Sequence, residues 1–282
     1  MSLAAPPVLD LDLEQRAALQ RAQGVGRIEV SAEGGRTRLR RLYQEGCGKI
    51  LLPVDLAARS LEAVAINTSG GLTGGDQMAW RVAARAGGSL TVTTQACEKI
   101  YRARDGHAVV AVDLEVGAGA RIDWLPQETI LFDGAALTRT LQADLAADAA
   151  LLVVEAVVLG RTAMGESVRR GALRDRWRIR REGRLVFADD LRLDGPVTDV
   201  AALAPTLAGG KAFASLLLVA DDAERLLAPI RAAIGSAGGA SAFGGKLFAR
   251  IVAADGLSLR RALLPAIAAL RDGAPPPRVW RL

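Results

Sequence analysis

At 282 residues, with 50% hydrophobic and 24% charged side chains, the chain can bury a sizeable core and is far from a disordered composition. Its net charge of +5 and isoelectric point near 9.7 come from arginine, but no recognised nucleic-acid-binding motif accompanies them, which argues against nucleic acid as the partner. Aromatic residues are only 4%, so the core has to be built from Ala, Val, Leu and Ile.

The first residues, Met1 to Asp10, have neither a basic region nor an apolar run and read as no secretory signal. No membrane segment is expected: the most apolar stretch, Ala149 to Gly160, carries Glu155 and falls short of the roughly 20 residues a spanning helix needs. Cys47 and Cys97 stand apart with no C-x-x-C pair, which fits reduced thiols and a cytoplasmic location.

The first clear element is a strand at Ala63 to Asn67, followed by Gly70-Gly-Leu-Thr-Gly-Gly-Asp76. A phosphate loop needs Lys and then Ser or Thr after its last glycine; here Asp76 and Gln77 follow, and an aspartate repels phosphate. Glycines that permit positive φ at a tight β corner are the better explanation.

From Met78 to Arg161 the sequence repeats. Three small-residue turns, Ala86-Gly-Gly-Ser89, Val116-Gly-Ala-Gly-Ala120 and Leu145-Ala-Ala-Asp-Ala-Ala150, lead into apolar strands at Leu90 to Thr94, Arg121 to Leu125 and Leu151 to Val154. Each strand then meets a glutamate: Glu98, Glu128 and Glu155. Turns recur at about thirty residues, the spacing of stacked β coils. His107 to Val116 and Ala136 to Leu145 alternate polar and apolar residues and read as further strands. The expected fold is mainly β: a β-helix or solenoid-like layered body over about residues 25–220. A helix-containing part over about 221–282 completes one domain spanning 1–282.

If the repeat holds, Glu98, Glu128 and Glu155 occupy equivalent positions and could line one row. With one histidine, His107, and two cysteines distant from it, no tight zinc or nickel cage can be proposed. The carboxylates Asp76, Glu98, Glu128, Asp133, Glu155 and Glu166 remain; a row of them could hold a cation weakly and pass it on. The competing reading is that each makes a salt bridge or ties a β corner. An enzyme alternative is a β-solenoid polysaccharide lyase or glycoside hydrolase with paired carboxylates. The scarcity of aromatic platforms and the absence of a signal argue against it, and His107 has no G-x-S-x-G partner for a hydrolase triad.

In Arg174-Asp-Arg-Trp-Arg-Ile-Arg180 a period of two puts four guanidinium groups on one strand face and mostly apolar groups on the other. That face is either solvated or a docking surface for an acidic partner. Further on, Asp221 to Ile234 and Leu257 to Arg271 have helical spacing, with Pro265 expected to kink or break the second. Between them Gly238 to Gly245 reads as a flexible link or turn pair before a short strand, Leu247 to Val252. The tail, Pro275-Pro-Pro-Arg-Val-Trp280, favours an extended polyproline segment. Either it docks Trp280 and Arg278 on a partner, or it folds back and tucks Trp280 into the chain's own β body.

Three strings carry a family resemblance: Asn67-Thr-Ser-Gly-Gly-Leu-Thr-Gly-Gly-Asp76, Thr93-Thr-Gln-Ala-Cys-Glu-Lys-Ile-Tyr-Arg102 and Trp124-Leu-Pro-Gln-Glu-Thr-Ile-Leu-Phe-Asp133. In this order and spacing they resemble the UreD (also UreH) urease accessory proteins, from about Asn67 to Glu166 and again at Pro277-Arg-Val-Trp280. Cys97 departs from the small residue usual there, and the region up to Pro53 matches loosely. The resemblance implies a β-helix-like body and a non-catalytic scaffold that assembles with UreF and UreG on apo-urease and helps convey nickel to its active site. On that reading Asp76, Glu98, Glu128 and Glu166 are first choices for a weak, transient nickel path, and Asp133 and Glu155 second. No cofactor would be tightly bound. A mean hydropathy of +0.21 fits apolar surface awaiting a partner.

Overall fold

The structure, a computed structural model, describes residues 20–53, 60–161 and 164–281. The stretch Met1 to Asp10 lies outside the described residues. Strands β1 (Gln23–Glu33) and β2 (Arg36–Gly46) form a hairpin, and β3 (Gly48–Leu51) lies beside β4 (Leu61–Asn67). The chain then winds through β5 (Gln77–Ala84), β6 (Ser89–Thr94), the short β7 (Glu98–Ile100), β8 (Ala108–Val116) and β9 (Arg121–Leu125). It continues through the short β10 (Thr129–Leu131), β11 (Ala136–Leu145) and β12 (Ala150–Leu159). A hairpin of β13 (Gly171–Arg181) and β14 (Arg184–Gly195) precedes helix α1 (Val197–Ala202) and β15 (Ala212–Val219). The last part holds α2 (Leu227–Ile234), β16 (Gly238–Ala242), β17 (Lys246–Ala253) and α3 (Gly256–Leu270).

These strands make two sheets. One runs β14-β13-β11-β8-β5-β1-β2; the other runs β16-β17-β15-β12-β9-β6-β4-β3, with β10 pairing β12 and β7 pairing β10. Successive coils cross from the first sheet to the second, β5 to β6, β8 to β9 and β11 to β12, and their strands stack in parallel. Ile122 therefore lies beside Leu90 on one side and Leu151 on the other. Side chains bond at the same interval: Asn67 to Glu98, Trp124 to Glu155 and His107 to Thr138 are each 31 residues apart. This is the solenoid-like layered β body that the repeat predicts. Gly87 and Gly119, at φ +66° and +60°, supply the left-handed residue at two of the turns.

The two sheets bury their strands differently, and the sequence pattern follows. The first sheet packs one face on the second, so β5, β8 and β11 alternate buried and more exposed residues. The second sheet is covered on both faces, by the first sheet and by α2, α3 and the C-terminal turn, so β12 and β15 are almost continuously apolar. α3 begins on Asp255, whose side chain accepts from Ser258 N at 2.7 Å, and buries Leu259, Leu263, Ile267 and Leu270 against that outer face.

Two expectations change and a third, left between two alternatives, is decided. Helix α3 runs through Pro265 without interruption, so Pro265 does not break it. Gly238 to Ala242 is a strand paired with β17, not a flexible link. Small residues are needed there because a Cβ on Gly238 would lie 2.0 Å from the Arg250 carbonyl oxygen. Third, Trp280 is 1% exposed, and its Nε1 donates to Thr93 Oγ1 at 3.1 Å and the Leu125 carbonyl at 3.2 Å. The tail folds back, the alternative in which Trp280 tucks into the chain's own β body; Arg278 beside it is exposed. Truncation after Gly273 is expected to cost about 3–5 kcal/mol of stability, as for other buried Trp deletions. Thermal unfolding checks this, and an unchanged melting temperature would detach the tail from the core.

Candidate functional site

The polar residues that the family-like strings carry meet where the second sheet's strands turn their corners. Gln127 Nε2 donates to the carbonyls of Thr94 and Gln95 at 3.1 and 2.8 Å, and Glu98 N donates to the Glu128 carbonyl at 3.0 Å. Asn67 Nδ2 reaches both Glu98 oxygens at 3.1 and 3.2 Å. Each corner is thus fastened to the next, one coil on.

The register separates the glutamates. β7 and β10 pair with Glu98 opposite Thr129, and β10 and β12 pair with Thr129 opposite Val157. Glu98, Thr129 and Val157 are the equivalent positions, so Glu98, Glu128 and Glu155 do not form one row. Glu98 and Glu155 face the space between the sheets; Glu128 points to the opposite side, toward α3.

On the inner side, Arg139 of β11 is the buried cation. Its guanidinium donates to Asp175 on β13 at 3.1 and 2.5 Å, to Thr129 Oγ1 at 3.2 Å, and pairs with Glu155 across the sheets. Trp124 Nε1 donates to Glu155 at 2.9 Å and Trp177 Nε1 to Asp175 at 3.1 Å. One positive charge thus meets two carboxylates between the sheets. Burial works against the Arg139 charge, but Asp175 and Glu155 together outweigh it and hold the group protonated. Burial pushes the Glu155 carboxyl above the usual range, and Arg139 pulls it back.

Glu98 lies on the same side, and it lines with Trp80, Thr129, Arg139 and Glu155 a cavity of about 50 Å³. This is room enough for water. Burial pushes Glu98 up to about 7, against the pull of the Asn67 amide. No salt bridge ties it to Lys or Arg among the described residues.

On the outer side, Arg260 of α3 grips Glu128 with two bonds, 3.0 and 2.9 Å, and Gln127 with a third at 2.7 Å. The same guanidinium lies 5.2 Å over the Trp280 ring. Cys97 Sγ donates to Glu128 at 3.4 Å, and burial, followed by the Glu128 charge, pushes the thiol up to about 11. It stays a neutral thiol and a poor metal ligand at neutral pH.

The other three acids tie corners. Asp76 accepts from the backbone N–H of Ala22 and Thr73 at 2.8 and 2.7 Å. Asp133 accepts from the backbone of Arg169 and Arg170 and from the Arg102 guanidinium, and these hold it below the usual carboxylate range. Glu166 accepts from Arg161 Nε at 2.8 Å and Arg161 N at 3.0 Å, which lower it too. Among the described residues no three His, Cys, Asp or Glu side chains gather as a metal cluster. Sequence reasoning passed over Arg139 and Arg260. Arg139 was detectable, because it stands in phase with the apolar Leu137, Leu141 and Ala143, as Asp175 does with Leu173, Trp177 and Ile179. Arg260, on a helix far along the chain, left no such signal.

Stacked corners, a neutralised interior and a helical cover define a β scaffold. A model of the family described as UreD urease accessory protein matches residues 22–281. A urease accessory protein UreD from Rhizobium leguminosarum bv. viciae is 58% identical over 264 residues, covering 93% of this chain and 96% of its own. That of Agrobacterium fabrum is 54% identical over 271 residues, 96% of this chain and 95% of its own, and that of Sinorhizobium medicae 51% over 278, 96% and 100%. The chain belongs to the UreD family of urease accessory proteins. The match extends well beyond the Asn67 to Glu166 core of the resemblance. This is a family of accessory factors, not enzymes, and the polysaccharide lyase and hydrolase alternative is set aside.

Replacing Arg139 alone by Met leaves Glu155 and Asp175 facing each other unpaired, and is expected to cost about 3–5 kcal/mol. The triple variant R139M/E155Q/D175N removes the charges together and should recover most of that loss in urea unfolding. Equal destabilisation of the single and triple variants would show that the three charges do not act as a unit.

Proposed function

We propose that the chain is a non-catalytic scaffold for urease maturation, assembling in the cytoplasm with UreF and UreG on the urease apoprotein and helping nickel reach its active site. Family membership supports the accessory role, and the observation that carries the nickel part is Glu98. It is a carboxylate between the sheets, bound through its side chain to a neutral amide and poised to lose its proton near pH 7. A cation arriving there meets an oxygen ligand that it can ionise. Oxygen donors without imidazole hold nickel weakly, which suits a cargo that has to leave again. No helix of the described residues is long and apolar enough to cross a membrane.

The proposed path keeps Asp76, Glu98, Glu128 and Glu166 ahead of Asp133 and Glu155, and puts Glu98 first. Asp76, Asp133 and Glu166 are engaged by backbone N–H groups, and Glu128 and Glu155 by guanidinium groups, so a metal would have to displace those partners. Deleting the gene in a urease-positive host should leave apo-urease made but nickel-poor; normal nickel content in that strain would contradict the reading. In the same host E98A should lower urease activation while the protein still folds and still assembles with UreF. D76A should instead lower stability. Full activation by E98A would take the interior acid off the path.

A further inference from the structure

One rim of the solenoid presents a ladder of larger side chains, one from each coil. Tyr101, just after β7, meets Phe132, just after β10, edge to face with ring centroids 5.0 Å apart. Arg161, just after β12, lies 4.4 Å over the Phe132 ring. Tyr101 sits directly on the backbone of Gly71, where a Cβ would come within 2.4 Å of its ring, and its hydroxyl donates to the Gly70 carbonyl at 3.3 Å. The ladder is braced against that backbone, and it lines a groove of about 540 Å³ with Arg102, Asp133, Glu166 and Arg169.

The charges in this groove are layered. The acids form the floor, with Asp133 and Glu166 side chains 15% and 16% exposed, each held by backbone N–H groups. The guanidinium heads form the lip, Arg102 at 70% and Arg169 at 80% exposed. The three arginines pair with the two acids, Arg102 and Arg169 with Asp133 and Arg161 with Glu166, so the lip keeps a net positive charge and N–H donors in excess of the oxygens below it. A second groove of about 690 Å³ continues past Arg161, and its apolar lining includes Ile130, Val158 and the exposed Leu257 at the start of α3. Aromatic and arginine side chains beside an apolar patch are the composition of interface centres.

We propose that this continuous rim is a docking surface for an extended acidic segment of a partner protein. Carboxylates of that segment pair with Arg102 and Arg169 over the Tyr101–Phe132 ladder, and an apolar side chain next to them seats against Ile130, Val158 and Leu257. Charge complementarity selects the partner: an acidic strand meets donors at the lip, whereas a basic one meets guanidinium heads above the two acids of the floor. The inference rests on the reading of the chain as part of a maturation assembly, and it assigns the face through which it engages.

The test uses the full-length protein in three variants, R102Q/R169E, L257E and, as a control for net charge, R174E on the far face of the first sheet. Arg102, Arg169 and Leu257 project outward, and a glutamate suits the first turn of a helix, so melting temperatures should hold. Binding to UreF and to the urease apoprotein is measured separately, at low and high salt. The proposal expects R102Q/R169E and L257E each to weaken binding to one of the two by at least about tenfold, with R174E unchanged. It also expects the salt sensitivity of that binding to fall in R102Q/R169E. Wild-type binding that survives both rim variants, or is lost only in R174E, overturns the docking surface and leaves the maturation role standing. A wild-type protein that binds neither partner overturns that role and the surface with it.

Discussion

A charge can be buried between two β-sheets only if its partners are buried with it, and in this protein that constraint is met by Arg139 between Glu155 and Asp175. The three residues come from three strands and join both sheets. The two tryptophans Trp124 and Trp177 occupy further lone pairs of the carboxylates, so the cluster specifies how far the sheets can slide over each other. Because the coils stack at a fixed interval, setting Glu155 opposite Arg139 also sets Thr129 and, one coil earlier, Glu98. The interior polar line follows from that one match.

Seen from this cluster, the acids of the chain divide by what holds them. Backbone N–H groups at the turns hold Asp76, and together with arginine side chains they hold Asp133 and Glu166; such carboxylates replace hydrogen bonds that a corner cannot make with a neighbouring strand. Guanidinium groups hold Glu128 and Glu155, and through Glu128 the helix α3 and the tail are fastened to the sheet. Glu98 has the weakest hold, a side-chain amide, and its burial is correspondingly less well compensated. A scaffold built this way keeps its shape with most of its acids; of the two interior carboxyls that burial raises, Glu98 and Glu155, it leaves Glu98 without a guanidinium partner.

Much of the architecture was legible in the sequence because burial imposed period on it. Strands β9 and β11 coincide with the segments expected at Arg121 to Leu125 and Ala136 to Leu145, and the turn spacing gave the coil. The four arginines from Arg174 to Arg180 do share the solvent face of β13, where Arg176 and Arg178 pair with Asp190 of β14. That pairing favours the solvated-face reading. What stayed hidden depended on contacts distant in sequence. The strand β16 is made of Gly, Ala and Ser, which carry turn signals locally and become a strand only beside Arg250 and its neighbours. The glutamate row failed because the corners insert β7 and β10. Glu98 opens β7, whereas Glu128 lies one residue before β10 and Glu155 lies inside β12; their spacings of 30 and 27 residues both miss the 31-residue coil interval. Three of the family-like strings are explained by mutual contacts, Asn67 with Glu98, Thr94 with Gln127, and Gly71 beneath Tyr101, none of which any one string reveals by itself.

Glu98 is a half-buried carboxyl raised toward neutral pH, and the nickel reading depends on it. Burial raises it from 4.5 to about 7 in the folded protein, so the folded state binds the extra proton and stability falls as pH rises through that window. The most direct measurement is the difference in unfolding free energy between E98Q and the wild type, taken by urea denaturation from pH 4 to pH 8. The difference should be independent of pH below 4.5, move in favour of E98Q between 4.5 and 7, and level off above 7. The total change should be at most about 3 kcal/mol. A difference that does not vary with pH, or one that moves in favour of the wild type as pH rises, would show that Glu98 is ionised and well bound in the folded protein, and would contradict the account.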